Sequence, residues 1–247
     1  MAGFWRAIGI IGPAEPDHLS ALLGLYASVG EAVAAARRPA TIAALRRVQE
    51  TLFSEHLWPW LPGHLEAVTD LPAPALSGWA GLLRRVIAAE AARWPARAVL
   101  PLALRAAPPG ADAAGHDAGL REMAVMLTVP VRSGMILTRH GLALGAGSAS
   151  VGHRIGERRF TLRAMLEQDP AATLGWLAAE ASRWQRRHAS HSAGDGPGRW
   201  WADRARRTGQ ILHEQAGALA TMPAAADRRP AVLSNARRRN HCRHAEP

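Results

Sequence analysis

Apolar residues recur along much of the chain at spacings of three and four positions, the pattern of helices that bury one face. The first such stripe predicts a helix that starts at Glu15-Pro16-Asp17-His18 and runs to about residue 36. Proline suits the first turn of a helix, and an aspartate there can accept hydrogen bonds from free backbone N–H groups. The apolar residues of this stripe are Leu19, Leu22, Leu23, Tyr26 and Val29.

The same periodicity predicts seven more helices. The second runs from about residue 41 to 57, after which Pro59 and Pro62 break the backbone around Trp60. The others cover residues 74–93, 119–128, 138–144, 157–168, 171–190 and 200–220. Stretches rich in Ala, Pro, Gly or Ser predict connections at 95–115, 145–156 and 192–198. No alternating run is long enough to predict a sheet, so the expected fold class is all-α.

Composition favours one helical domain over residues 1–222, followed by a disordered tail. Hydrophobic residues make up 48% of the 247 residues, which is enough to build a core. They are mostly Ala and Leu, two residues that favour helix over strand. Residues 223–247 are rich in Pro, Ala and Arg and have little to bury, so this segment is predicted to be disordered.

Arginine supplies all 30 basic residues and gives the chain a formal net charge of +10. Because arginine neutralises phosphates, an Arg-rich helical nucleic-acid-binding protein that uses residues 199–243 is an alternative function. Thirteen of the arginines lie after residue 180, opposed by five acidic residues, so the excess charge is concentrated at that end. This alternative predicts binding that weakens steeply with salt and is lost when the segment is removed.

The chain lacks the residue patterns of several common enzymes. It has no Gly-x-Ser-x-Gly nucleophile turn, and Gly145-Ala146-Gly147-Ser148 matches no phosphate-binding loop. Its single cysteine, Cys242, excludes an internal disulfide, and the histidines at 188, 191, 241 and 244 lie in polar, Arg-rich sequence. We therefore expect no catalytic activity, no cofactor and no metal. No stretch predicts a membrane span or a secretory signal, which indicates a cytoplasmic protein.

Two motifs carry candidate binding chemistry. In Glu15-Pro16-Asp17-His18, an acid and an imidazole at a helix start can offer a charge and a switchable hydrogen-bond donor to a ligand. A helix cap without further function is the alternative. In the stretch from Leu52 to Pro62, two tryptophans and a histidine lie around two prolines and can line an apolar groove for a peptide, with Glu55 and His56 at its edge. Core packing is the alternative there.

These motifs resemble those of the TorD/DmsD family of molybdoenzyme maturation chaperones. The family's Glu-Pro-x-Asp-His element is similar to Glu15-Pro16-Asp17-His18, here without the spacer residue, and Tyr26 matches the aromatic that follows it. A second family element, an acidic residue and His-Leu followed by Pro-Trp and another Pro, is similar to the segment from Glu55 to Pro62. A third stretch, from Pro130 to Phe160, resembles a C-terminal extension of some longer members. The resemblance covers roughly residues 4–184.

The resemblance implies a single orthogonal bundle of about seven to nine helices that acts as a chaperone. Its partner would be the twin-arginine signal peptide of a molybdopterin oxidoreductase precursor, the immature body of that enzyme, or both. Members of the family carry a helical segment before the first motif, whereas 14 residues precede Glu15 here, which predicts a shortened N-terminal region. The residues expected to bind the peptide are Glu15, Asp17, His18, Tyr26, Glu55, His56, Trp58 and Trp60.

The expected mechanism places both motifs on one concave surface. Glu15 and Asp17 would pair with the twin arginines, since arginine and carboxylate form geometrically selective, charge-assisted hydrogen bonds. The surface around His56 and Trp60 would hold the apolar stretch of the peptide. Such holding would delay export until the cofactor has been inserted, and it requires no bond to be made or broken.

Overall fold

The computed structural model of this protein describes residues 1–94, 99–110, 119–190 and 196–221. All regular structure within these ranges is helical, which confirms the predicted all-α class. A π-helical turn covers Leu52–Leu57. The α-helices are α1 (Ala2–Ala7), α2 (Leu19–Ala35), α3 (Pro39–Thr51), α4 (Leu61–Thr69), α5 (Pro74–Arg93), α6 (Leu102–Arg105), α7 (Leu120–Leu127), α8 (Pro130–Ser133), α9 (Arg139–Ser148), α10 (Arg158–Gln168), α11 (Pro170–Ser190) and α12 (Pro197–Thr221).

Proline marks the start of many of these helices. A proline at the first helical position costs the helix no hydrogen bond, because the N–H that it lacks would have no partner within the helix. Two other starts use a side-chain cap: His18 accepts from the N–H of Ser20 before α2, and Thr138 accepts from the N–H of Gly141 before α9. The helices that begin on proline are α3, α5, α8, α11 and α12.

The first five helices and the π-helical turn enclose one apolar cluster. α2 packs against α3, and α4 packs against α5. Leu52, Leu57 and Leu61 in the middle of this cluster are fully buried, because the chain changes direction there and is surrounded by helices on several sides. Trp5 of α1 and Ile87 of α5 are buried members of the same cluster.

A second apolar cluster is built by α7 to α12 around the long pair α11 and α12. Trp184 of α11 belongs to this cluster and is fully buried. Close approach of the helices needs two glycines. A Cβ on Gly145 of α9 would lie 2.3 Å from the Trp176 ring, and a Cβ on Gly134 would lie 2.3 Å from the backbone nitrogen of Ala205. Gly134 also has a φ of +73°, a conformation that favours glycine.

The two clusters meet where α4 crosses α11. Asp70, just after α4, accepts hydrogen bonds from Arg183 at 2.9 Å and from both terminal nitrogens of Arg187 at 2.7 and 2.8 Å. Gly63 lies over the His188 ring, and a Cβ there would come within 3.1 Å of it. The Trp201 indole N–H of α12 donates to the carbonyl oxygen of Pro59. This junction therefore fixes the segment around Pro59 against the second cluster.

The predicted number of seven to nine helices is wrong for the described residues, which contain twelve α-helices and the π-helical turn. α1, α6 and α8 are six, four and four residues long, and so short a segment carries no readable periodicity. The sequence does not predict α4, because Pro62 suggests a break. Pro62 instead occupies the first turn of that helix, where proline is tolerated.

Three predicted connections contain helix. The stretch 95–115 includes α6, α9 continues beyond residue 144 to Ser148, and α12 begins at Pro197. The predicted disordered tail, residues 223–247, lies outside the described residues. Within the described ranges, none of the helices combines the length and the apolar character that crossing a membrane requires.

Candidate functional site

The first motif forms a turn in front of α2. The expected helix start at Glu15 is wrong, since α2 begins at Leu19 and Glu15 to His18 precede it. The cap is His18 rather than Asp17: its Nδ1 lies 3.3 Å from the backbone nitrogen of Ser20 and 2.8 Å from the Ser20 hydroxyl. Glu15, Asp17 and His18 are exposed. Their carboxylates and imidazole therefore face solvent at the end of the first cluster.

Helix α1 joins the two motifs. The Trp5 indole N–H donates to the carbonyl oxygen of Pro16 in the first motif, at 3.1 Å. The Phe4 ring packs edge-on against His56 of the second motif, with 5.2 Å between ring centroids. These neighbouring residues of one short helix thus contact both motifs. Sequence reasoning did not single out either residue, because α1 is too short to give a helical pattern.

The second motif begins in the π-helical turn. Here the backbone N–H of Trp58 donates to the carbonyl of Phe53, five residues earlier, at 2.8 Å. The Ser54 hydroxyl donates to the carbonyl oxygen of Glu50, which satisfies an acceptor beside the widened turn. Single π-helical turns within helices are frequent at functional sites. The turn directs Leu57 into the core and leaves Trp58 only partly buried.

Several polar groups of the second motif have hydrogen-bond partners within the protein. The backbone N–H of Leu102 donates to Glu55 at 2.8 Å. The Trp60 indole N–H donates to the carbonyl oxygen of His56 at 2.6 Å, and its ring packs edge-on against His64. Burial lowers the pKa of both His56 and His64 below the ordinary value, so both imidazoles favour the neutral form.

Tyr26 belongs to a chain of aromatic rings that ends at Trp58. The Tyr26 and Phe53 rings are 5.8 Å apart, and Phe53 stacks on Trp58 at the same distance. The Tyr26 hydroxyl donates to Glu90 of α5 at 2.6 Å and accepts from the Trp94 indole at 3.3 Å. Tyr26 therefore supports the position of Trp58 from behind, through the fully packed Phe53 ring.

Trp58 lines a cavity of about 350 Å³ between the second motif and α5. Its walls include apolar groups of Pro62, Leu65 and Ile87, and the arginines Arg84 and Arg85 of α5 also line it. Arg84 forms an ion pair with Glu66 at 2.8 Å. A second hollow, of about 450 Å³, lies between α1 and Pro16 of the first motif. Each motif thus borders a hollow of its own, and α1 contacts both motifs.

The chain matches no protein-family model, and it has no significant match among curated proteins or solved structures. The resemblance to the TorD/DmsD chaperones therefore stays a prediction from the sequence motifs.

The Trp58-Pro59-Trp60 corner is supported by α12, a contribution that the sequence does not reveal. Trp201 donates to Pro59 and stacks against His188, with 5.7 Å between centroids. His188 also lies against Trp184 and has its Nε2 2.9 Å from the carbonyl oxygen of Gly134. Trp184, His188 and Trp201 are 125 or more positions from Pro59 in sequence, so only the folded chain brings them together.

The described part of the alternative nucleic-acid segment, residues 199–221, uses several arginines within the fold. The Arg204 guanidinium lies over the Trp200 ring, 4.7 Å from its centroid. Arg206 pairs with Asp203 at 3.3 Å, one turn earlier on α12. Residues 222–243 of that segment lie outside the described residues.

Proposed function

We propose that this protein is a cytoplasmic chaperone of the TorD/DmsD type, folded as an orthogonal helical bundle. It binds the twin-arginine signal peptide or the immature body of a molybdopterin oxidoreductase precursor until the cofactor has been inserted. The observation that carries the proposal is the contact of α1 with both family-like motifs, through Trp5 to Pro16 and through Phe4 to His56. Two motifs separated by 36 residues are thereby held beside one helix of six residues.

Charge and shape assign different parts of the peptide to the two motifs. Glu15 and Asp17 are exposed carboxylates that can pair with the twin arginines. The cavity beside Trp58 has apolar walls that suit the side chains of the following apolar stretch. The peptide would thus pass over α1 from the first motif to the second. The apolar contacts supply affinity and accept many different apolar sequences, whereas the contacts with the two arginines distinguish this peptide from others.

Calorimetric titration with a twin-arginine signal peptide tests this assignment. Because His18 caps α2, His18→Asn is the suitable change: asparagine is a good cap and the imidazole is removed. Combined with Asp17→Asn, it is expected to weaken peptide binding about tenfold, through loss of a charge-assisted contact. Glu31→Gln, an exposed carboxylate on α2, is the matched control and is expected to bind as the parent does.

A twin-lysine peptide provides the selectivity measurement. It is expected to bind the parent more weakly than the twin-arginine peptide, since lysine cannot form the planar paired hydrogen bonds of arginine. Equal binding of the twin-arginine peptide to the parent and to the Asp17→Asn, His18→Asn double variant would exclude the first motif as its contact. Loss of binding to the Glu31→Gln control as well would indicate a general charge effect instead.

A further inference from the structure

The cavity beside Trp58 combines apolar walls with unbalanced positive charge. Arg84 is neutralised by Glu66 of α4, at 2.8 Å. Arg85, which also lines the cavity, is exposed and forms no ion pair with any residue in the part of the chain that the structure describes. Both charged side chains that line the space are thus arginines, and one of them is paired with a carboxylate. An apolar guest that also carries a negative group would satisfy both features.

The cavity has the size of a small-molecule site. Its volume of about 350 Å³ lies at the lower end of the roughly 300–1,000 Å³ of ligand pockets. Trp58 offers a flat apolar wall, and Leu65 and Ile87 are almost completely buried beneath it. Gly81 of α5 lines the same space, and a Cβ built on it would meet no atom within 4 Å. The missing side chain at this position leaves the cavity open.

We infer that this cavity binds a small amphiphilic anion, an apolar chain that ends in a carboxylate. The apolar chain lies against Trp58, Leu65 and Ile87, where contact removes its surface from water. The carboxylate faces Arg85, whose guanidinium matches it with two parallel N–H donors. The proposed function places the apolar stretch of the signal peptide in this same cavity, so the two ligands would compete for it. Octanoate binding is measured without the peptide, and its failure would leave the assignment of the twin arginines to the first motif standing.

Octanoate is the probe, and its binding to the full chain is measured by calorimetry. Gly81→Leu places a side chain in the cavity and is expected to weaken binding at least tenfold. Gly78→Leu is the matched control: Gly78 lies three residues earlier on α5, is exposed, does not line the cavity and has the same empty surroundings. Both changes raise helix propensity, so neither is expected to unfold α5. Octanoate should bind the control as it binds the parent.

The charge of the probe is tested separately from its shape. Arg85→Gln is expected to weaken octanoate binding by up to about fivefold, the upper end of the range for an exposed ion pair. Octylammonium, which has the same chain and the opposite charge, is expected to bind the parent more weakly than octanoate does. Absence of octanoate binding to the parent, equal binding to the Gly81→Leu and Gly78→Leu variants, or a preference for octylammonium would each overturn the inference.

Discussion

Tyr26 shows how one side chain can connect the interior to a candidate binding surface. Its hydroxyl is held between Glu90 and Trp94, while its ring leads through Phe53 to Trp58. Burial, followed by the hydrogen bond to the Glu90 carboxylate, raises the pKa of Tyr26 well above the ordinary value of 10.0. The folded state therefore retains the phenol proton more strongly than the unfolded state does.

This shift predicts a loss of stability at alkaline pH. The stabilisation by Tyr26 is fully present below pH 10.0, the ordinary pKa, and is lost as pH rises from there towards the higher folded-state pKa. Because the chain has one tyrosine, its tyrosinate absorbance reports this group alone. The folded protein is expected to titrate well above pH 10.0, and the denatured protein near it. If the folded and denatured proteins titrate at the same pH, the Glu90 contact is contradicted. The Tyr26→Phe variant, which has no tyrosine, gives the background absorbance.

At the scale of elements, the contact between α9 and α11 depends on the absence of one side chain. A Cβ at Gly145 would lie 2.3 Å from two ring atoms of Trp176, so Gly145→Ala forces the indole or the helix to move. We expect a loss of about 2 kcal/mol in the free energy of unfolding, measured with urea. The expected mechanism is overpacking between two otherwise well-formed helices.

Gly147 gives the matched control for that change. It lies in the same helix, two residues later, and a Cβ there would meet nothing within 4 Å. Gly147→Ala is expected to raise stability by up to about 1 kcal/mol, because alanine favours helix over glycine. If both substitutions stabilise the protein equally, α9 and α11 do not approach each other as closely as described.

The elements that the sequence predicts well are the long amphipathic ones. The predicted helix at 74–93 coincides with α5, and the one at 157–168 differs from α10 by a single residue. The π-helical turn could not be predicted in this way. The spacing of the apolar residues Leu52, Phe53 and Leu57 is consistent with an ordinary α-helix as well as with a turn that holds one extra residue. Periodicity identifies a buried face but not a local change of pitch.

At the scale of the whole molecule, Asp70 forms ion pairs that connect the two apolar clusters. Its carboxylate accepts from Arg183 and Arg187, and these contacts, the one with Arg187 above all, lower its pKa. Asp70→Asn is expected to reduce the free energy of unfolding by about 1–2 kcal/mol at neutral pH. Asp203→Asn, which breaks an exposed ion pair within α12, is expected to cost only a few tenths of a kcal/mol.

The effect of Asp70 should disappear in acid. Since its folded-state pKa is lowered, its stabilisation is present above the ordinary pKa of 3.8 and is lost as pH falls below that value towards the folded-state pKa. Urea unfolding of the parent and of Asp70→Asn across this range provides the measurement. A stability difference that stays constant down to the lowest pH would mean that Asp70 acts through packing rather than through its charge.

The candidate site could be predicted only in part, because its support comes from distant parts of the chain. The motif residues Trp58 and Trp60 are visible in the sequence as an aromatic group beside prolines. Their neighbours Phe4 and Trp201 are not, since the first lies in a six-residue helix and the second is 142 residues from its acceptor Pro59. The local sequence identifies candidate residues such as Trp58 and Trp60, whereas the tertiary fold determines which residues contact them.

The π-helical turn makes the stretch Leu52–Leu57 tolerant of a change in chain length. Because this turn holds one residue more than an α-helical turn, deleting one residue here would permit ordinary α-helical pitch and leave the residues that follow on the same side of the helix. A deletion inside an ordinary α-helix such as α5 would instead rotate the rest of that helix by about 100° around its axis and draw it back about 1.5 Å. The loss of one codon would therefore be absorbed at Leu52–Leu57, whereas before Ile87 of α5 it would turn a buried side chain away from the first cluster.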